Sequence, residues 1–202
     1  MTLPMRLVLI SDTHDSRPTV PDGDVLIHGG DFACGDDLVS LRRDIAWLKS
    51  LPHRIKILVK GNHDLVLNCR PDAAELLRPI HLLENSGIEI EGVRFYGVGW
   101  KSKPDIPAGT DVVISHEPCQ GILDAGIGSP VLRRAVLSAH PQVFVSGHAH
   151  GARGHVVYDG IHFYNATLEH PTTDVVGAMS HTVALPTAQP WVHELKPREV
   201  TK

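Results

Sequence analysis

Residues 6–14 read RLVLISDTH, a short apolar run that ends in a polar tip. An apolar run of this length, rich in branched side chains, predicts a buried β-strand. The tip carries Asp12 and His14, and residues two positions apart in an extended stretch point the same way. The stretch therefore predicts a strand that delivers a carboxylate and an imidazole to one place.

The same arrangement of an apolar run and a polar tip recurs four more times. The further tips are Gly30-Asp31, Gly61-Asn62-His63-Asp64, His116 and Gly147-His148-Ala149-His150. In open α/β sheets the ligand site lies beyond the carboxyl ends of the strands, so we expect all five tips to converge there. The candidate metal ligands are Asp12, His14, Asp31, Asn62, His116, His148 and His150.

This set of ligands predicts a two-metal centre. Seven mixed nitrogen and oxygen ligands are too many for one tetrahedral zinc ion, and they suit two divalent ions that share a carboxylate. Carboxylates and an amide beside imidazoles favour Mn²⁺, with Fe or Zn²⁺ as alternatives. A centre of this kind activates water and clamps phosphate oxygens, which indicates phosphate-ester chemistry.

Composition narrows the class of protein. The 202 residues, 42% hydrophobic and 21% charged, suit one globular domain over 1–202. No apolar run approaches the ~20 residues that span a bilayer, and residues 1–6 lack a signal-peptide pattern, so we expect a cytoplasmic protein without a membrane partner. A net charge of −4 without a basic run argues against strong non-specific binding of nucleic acid. Three cysteines without CxxC spacing indicate neither disulfides nor a cysteine zinc site.

Periodicity and turn residues predict a layered α/β domain with mixed sheets, in which strands outnumber helices. Helices are expected over 36–51, over 72–78 with Asp72 as its cap, and from Ser129-Pro130 to about 139. Strands are expected over 6–10, 25–28, 54–59, 80–83, 88–90, 93–98, 111–114, 142–145, 154–158, 161–165, 180–185 and 191–195.

The five tips, in this order, resemble the signature of the calcineurin-like metallophosphoesterases: D-x-H, GD, GNH[D/E], H and GHxH. The resemblance covers 6–167, and 116–167 is similar to the small single-domain branch, the MPPED type. It implies a four-layer α/β/β/α sandwich with two mixed β-sheets. It also implies a phosphohydrolase for small phosphodiesters or cyclic nucleotides, in which the two metal ions activate a hydroxide. The alternatives are a phosphomonoesterase, a nuclease or a non-catalytic metal-binding scaffold.

The resemblance also assigns a role to each matched residue. It implies that one ion is held by Asp12, His14 and His150, and the other by Asn62, His116 and His148. Asp31 would bridge the two ions. His63 would contact the phosphoryl group and protonate the leaving oxygen, while Asp64 would orient its imidazole and favour the charged form.

Some residues depart from the patterns of related subfamilies. Cys34 stands where purple acid phosphatases have a metal-binding Tyr, and Glu117 adds negative charge beside the expected phosphate site, so the substrate stays open. Trp100 is expected as a rim residue, with stacking on a base or aromatic leaving group as the alternative. Cys119 is expected to be a buried, inert thiol.

Histidines outside the tips have simpler interpretations. We expect His28, in an apolar strand, to be buried and hydrogen-bonded. His155 and His162 are expected on strands, either near the site or at the surface. His53 and His193 are expected at loops or at the surface.

Overall fold

The backbone is organised around β-strands. The computed structural model describes residues 4–171, 182–184 and 188–196, except for the side chains of 169–171 and 182–184. The described strands are β1 Met5–Ile10, β2 Val25–His28, β3 Ile55–Leu58, β4 His81–Leu82, β5 Ser86–Ile90, β6 Val93–Val98, β7 Val112–Ser115, β8 Val143–Ser146, β9 Gly154–Tyr158, β10 Ile161–Asn165, β11 Glu169–Pro171, β12 Thr182–Ala184 and β13 Trp191–Leu195.

Two large sheets contain most of these strands. The five-stranded sheet has the order β13-β1-β2-β3-β4, in which β1 to β4 are parallel and β13 is antiparallel. The six-stranded sheet has the order β5-β6-β7-β8-β10-β9, with a parallel centre and antiparallel outer strands. Strands β11 and β12 form a small antiparallel pair. The prediction of two mixed sheets is confirmed.

The α-helices are α1 Leu38–Ser50, α2 Leu65–Cys69 and α3 Pro130–Ala139, and 3₁₀ turns occupy Pro71–Leu77 and His150–Ala152. Asp37 caps α1 by accepting the N–H groups of Val39 and Ser40, and Ser129 caps α3. The short helix expected over 72–78 is present as the 3₁₀ helix Pro71–Leu77, but Asp72 lies inside its first turn and does not cap it. Helix α2 is too short to show a periodic pattern, and the sequence did not predict it.

Alternation along the strands produces the layers. Leu7 of β1 lies in the core between the two sheets, whereas the next residue, Val8, packs with Leu41 of α1. On the other sheet, Phe144 of β8 packs with Leu132 of α3. The order helix, sheet, sheet, helix confirms the expected four-layer α/β/β/α sandwich.

The two large sheets meet where their parallel strands end. Ser11 follows β1 and forms a parallel bridge with Thr167, which follows β10. The next residue, Leu168, donates its N–H to the carbonyl of Ser11 at 3.0 Å. The carboxyl ends of both sheets therefore face one shared edge, and this edge carries the polar tips.

The prediction for His53 needs correction, and the strand predicted over 180–185 is described only in part. His53 was expected at a loop or the surface, but it is 2% exposed, and its Nε2 lies 2.9 Å from the carbonyl of Pro21. Of the strand expected over 180–185, only Thr182–Ala184 lies in the described part of the chain.

Among the described residues no helix has the length and apolar character needed to cross a membrane. The cytoplasmic location stays a prediction.

Candidate metal centre

One group of ligand atoms lies at the tips of β1 and β8. His150 Nε2 is 3.0 Å from Asp12 Oδ1 and 3.3 Å from His14 Nε2. Two ligand atoms bound at right angles to one ion, each about 2.1 Å from it, lie about 3.0 Å apart. The three residues that the sequence assigned to the first ion therefore have the spacing of a metal site.

A second group adjoins the first. Among the described residues, carboxylate and imidazole atoms of Asp12, Asp31 and His116 lie close enough to share an ion. His116 Nε2 is 3.1 Å from Asp31 Oδ2 and 3.1 Å from Asn62 Oδ1. Asp12 is the residue common to both groups, so the bridging role of Asp31 stays a prediction.

His148 lies beside these groups without joining either. Its ring centroid is 5.1 Å from that of His116, and neither group of ligand atoms includes its nitrogens. Burial, together with His116, lowers the pKa of His148 to about 4, so its imidazole is neutral at pH 7 and keeps a free lone pair. Its role as a ligand stays a prediction.

An orphaned oxygen shows that the site suits a cation. Asp31 Oδ2 is buried, and its one close charged contact among the described residues, with His116 Nε2 at 3.1 Å, does not have the alignment of a hydrogen bond. Buried polar atoms are otherwise almost always satisfied, and an unpaired carboxylate oxygen costs free energy unless a cation compensates it. The oxygen lies 3.1 Å from His116 Nε2, and both residues belong to the second ligand group.

The electrostatics also favour positive charge at this point. Burial by itself would lower the pKa of His116, but Asp12 and Asp31 reverse the effect and raise it to about 9. Burial would raise the pKa of Asp12, yet His116 and His150 hold it below its usual range. The carboxylates are therefore ionised at neutral pH and attract a cation into a buried site.

The backbone at the tips adopts conformations that L-residues rarely take. Asp12, His14, Asp31 and His148 have φ values of 54°, 44°, 54° and 64°. Non-glycine residues in the left-handed region cluster at functional sites, where surrounding structure maintains the strain. Glycine is required beside them: a Cβ at Gly61 would overlap the carboxylate of Asp31.

Asp64 supports the backbone of the neighbouring tips. Its carboxylate accepts the N–H groups of Gly61 at 2.7 Å, Asp31 at 2.9 Å, Phe32 at 3.0 Å and Ala33 at 3.1 Å. The described hydrogen bonds include none between Asp64 and the His63 imidazole, and the orientation of His63 by Asp64 stays a prediction. One carboxylate ties together the tips of β2 and β3, and burial with Asp31 raises the pKa of this carboxyl to about 7.

His63 lies at the mouth of the site. Its backbone N–H donates to Asp31 Oδ1 at 2.7 Å, while its side chain is exposed. Its ring centroid lies 5.4 Å from that of His14. The ring is thus held next to the ligands without being buried among them, a position open to substrate.

Three supporting side chains had no predicted role. The Thr167 hydroxyl donates to Asp12 Oδ2 at 3.0 Å, and Asn165 Nδ2 donates to the Ala149 carbonyl at 2.8 Å. The Sγ atom of Cys34 lies 2.7 Å from His14 Nδ1, which leaves Nε2 of that ring facing the ligand group. Partners of this kind orient metal ligands. The only sequence signal for the first two was their position just after an apolar run.

Two further expectations about the surroundings are confirmed. His28 is buried, and its Nε2 lies 3.0 Å from the hydroxyl of Thr13. Cys119 is also buried, as expected, and burial raises the pKa of its thiol and disfavours the thiolate. Trp100 lines the rim, with its ring centroid 4.9 Å from that of His148.

Comparisons with known proteins agree with this geometry. The family model for calcineurin-like phosphoesterases matches residues 5–152. A probable rhamnogalacturonate lyase C of Emericella nidulans is 31% identical over 181 residues, which are 74% of this chain and 17% of that protein. Human metallophosphoesterase domain-containing protein 1 is 30% identical over 210 residues, which are 79% of this chain and 64% of that protein. The chain thus spans less than two thirds of the length of each of these two relatives.

A solved structure shares the fold. The protein TT1561 of Thermus thermophilus matches with a TM-score of 0.63 and 12% identity, over 96% of this chain and 100% of that one. With its sheet order and metal-ligand groups, the chain belongs to the calcineurin-like phosphoesterase family of metal-dependent phosphoesterases. Within that family it is similar to the small MPPED-type branch.

Proposed function

We propose that this protein is a binuclear metal-dependent phosphohydrolase that cleaves small phosphodiesters, including cyclic nucleotides. The observation that carries the proposal is the pair of adjoining ligand groups that share Asp12, the second of which includes the buried carboxylate of Asp31. Oxygen and imidazole ligands favour Mn²⁺, with Fe or Zn²⁺ as alternatives.

The protein contributes position and proton transfer. When bound, two divalent ions supply a nucleophile at neutral pH and neutralise charge on the phosphate oxygens. Asp12, Asp31 and His116 would hold them in a rigid frame, since their backbones are fixed by Asp64 and by the strand ends. His63, exposed beside His14, is placed to donate a proton to the leaving oxygen.

The open mouth supports a diester as the substrate. A phosphodiester carries an organic group on each side of phosphorus, so its site must admit two arms. His63 is exposed and Trp100 is half-buried at the rim, which leaves room for groups that extend away from the ligands. Aromatic faces such as Trp100 also suit a base or an aromatic leaving group.

Turnover of model esters tests the proposal. Purified protein loaded with Mn²⁺ should hydrolyse bis(p-nitrophenyl) phosphate faster than p-nitrophenyl phosphate, with two metal ions per chain. Asp12→Asn controls for contaminating phosphatases, because it removes the carboxylate common to both ligand groups. Preference for the monoester would indicate a phosphomonoesterase, and metal-loaded protein inert on both esters would indicate a scaffold.

A further inference from the structure

A cavity opens between the segment after β6 and the start of α3, and its lining includes Glu117, the residue after His116. Its volume is about 490 Å³, and its walls include Lys101, Lys103, Glu117, Ser129 and Arg134. None of these residues takes part in the ligand groups. The cavity therefore provides a binding space separate from the metal ligands.

Trp100 and Glu117 connect this cavity to the metal centre. The Trp100 ring centroid lies 5.3 Å from that of His116 and 4.9 Å from that of His148. Lys101 Nζ lies 5.2 Å from the Trp100 ring centroid, and Glu117 directly follows His116. Trp100 is therefore close both to candidate metal ligands and to Lys101 of the cavity lining.

The charged side chains that line the cavity are mostly positive, although the net charge of the whole chain is negative. Lys101, Lys103 and Arg134 face a single carboxylate, Glu117, whereas the net charge of the chain is −4. In the described part of the chain, none of the three cations forms a salt bridge within 4.0 Å. Helix α3 begins at this wall, and the positive end of its dipole adds to the same field. Several cations in one concave site raise the local concentration of anions.

We propose that this cavity binds a second phosphate, carried by one arm of the substrate while the scissile phosphodiester occupies the metal centre. The inference rests on the proposed phosphodiesterase function, and it specifies the substrate class as a diester that bears a further phosphate about one nucleoside away. Lys101, Lys103 and Arg134 bind that group by charge, and Trp100 contacts the part between the two phosphates.

Calorimetric titration of the Mn²⁺-loaded protein tests the proposal without requiring turnover. The two probes are thymidine 5′-monophosphate and thymidine 3′,5′-bisphosphate, which differ by one remote phosphate. We expect the bisphosphate to bind about tenfold more tightly at low salt, with the advantage shrinking as salt rises. The double variant Lys103→Gln/Arg134→Gln should lose that advantage and bind the monophosphate as wild type does. Arg42→Gln, which removes an exposed cation from α1, should keep the advantage.

The outcomes separate the two proposals when thymidine 5′-(p-nitrophenyl phosphate) turnover is measured on the same samples. Equal wild-type affinities for the two probes, or an equal loss for both in the double variant, would overturn the cavity proposal. Turnover without bisphosphate selectivity would keep the phosphodiesterase function and reject the cavity. Selectivity without turnover would keep the anion site and reject the phosphodiesterase function.

Discussion

In the described part of the chain, two clusters of histidines differ in what surrounds them. The metal centre places His14, His116, His148 and His150 around Asp12 and Asp31. The edge cluster, which we define as His155, His162, Tyr164 and His193, joins β9 and β10 to β13 of the other sheet. There His155 Nε2 lies 3.1 Å from His162 Nδ1, and the Tyr164 hydroxyl lies 2.9 Å from His193 Nδ1.

The carboxylates explain the difference between the clusters. Asp12 and Asp31 raise the pKa of His116 to about 9, against the effect of burial. In the edge cluster, burial lowers the pKa of His193 to about 4, and His162 and His155 add to the effect. No set of three edge-cluster side chains is among the potential ligand groups of the described residues. Neighbouring imidazoles disfavour positive charge on one another. Buried carboxylates, in contrast, stabilise positive charge at the imidazoles around them.

The largest expected effect comes from Asp31→Asn, which removes the charge that distinguishes the metal centre. We expect hydrolysis of the diester to fall by more than the roughly 10²–10⁴-fold that loss of one proton-transfer group costs. Metal content, measured by mass spectrometry of the dialysed protein, should drop below two ions per chain. The matched control is His155→Ala in the edge cluster, for which wild-type metal content and activity are expected. Metal loss in His155→Ala and not in Asp31→Asn would show that the edge cluster, and not the metal centre, binds the metal.

His63→Ala tests a histidine at the metal centre that is not a ligand. Because it removes the proposed proton donor, we expect kcat to fall by roughly 10²–10⁴ while metal stoichiometry stays at the wild-type value. An ester with a better leaving group should lose less activity, since it needs less protonation. If both metal ions were lost from this variant, the assignment of His63 as the acid would be wrong.

Thr167→Val removes the hydroxyl that donates to Asp12 Oδ2 and preserves side-chain volume. Loss of an orienting partner of this kind weakens metal binding by roughly 10–100-fold, so we expect a weaker affinity in a chelator competition. Thr19→Val at an exposed position is the matched control. Unchanged affinity in Thr167→Val would show that the strand ends alone orient Asp12.

The smallest effect concerns the edge cluster and the pH dependence of stability. The pKa of His193 in the folded protein is about 4, below its ordinary value of 6.5, so protonation favours the unfolded chain. Stability is fully present above pH 6.5 and falls as the pH drops toward 4. His193→Gln should reduce the fall in thermal midpoint across this window, and His81→Gln should leave it unchanged. An identical decline in wild type and His193→Gln would remove the edge cluster as a cause.

Sequence reasoning located the ligands because they come directly after apolar runs. A run that predicts a strand also predicts where its carboxyl end lies, so the places of Asp12, Asn62 and His116 in the chain were enough to assign them to one edge. The α/β/β/α order follows from the same alternation, since adjacent residues of a strand point to opposite faces. Segments without a repeat, such as helix α2, left no comparable signal.

The sequence by itself indicated the candidate ligands of the metal centre, since their types and their places after the strands are typical of metal-binding residues. The tertiary structure alone decided how those residues are held. Asp64 binds the backbone of two tips, and Cys34 reaches His14 from another loop. The positive cavity beside Trp100 also forms only when the segment after β6 meets α3. These contacts join residues far apart in the chain, and local patterns carry no information about such distances.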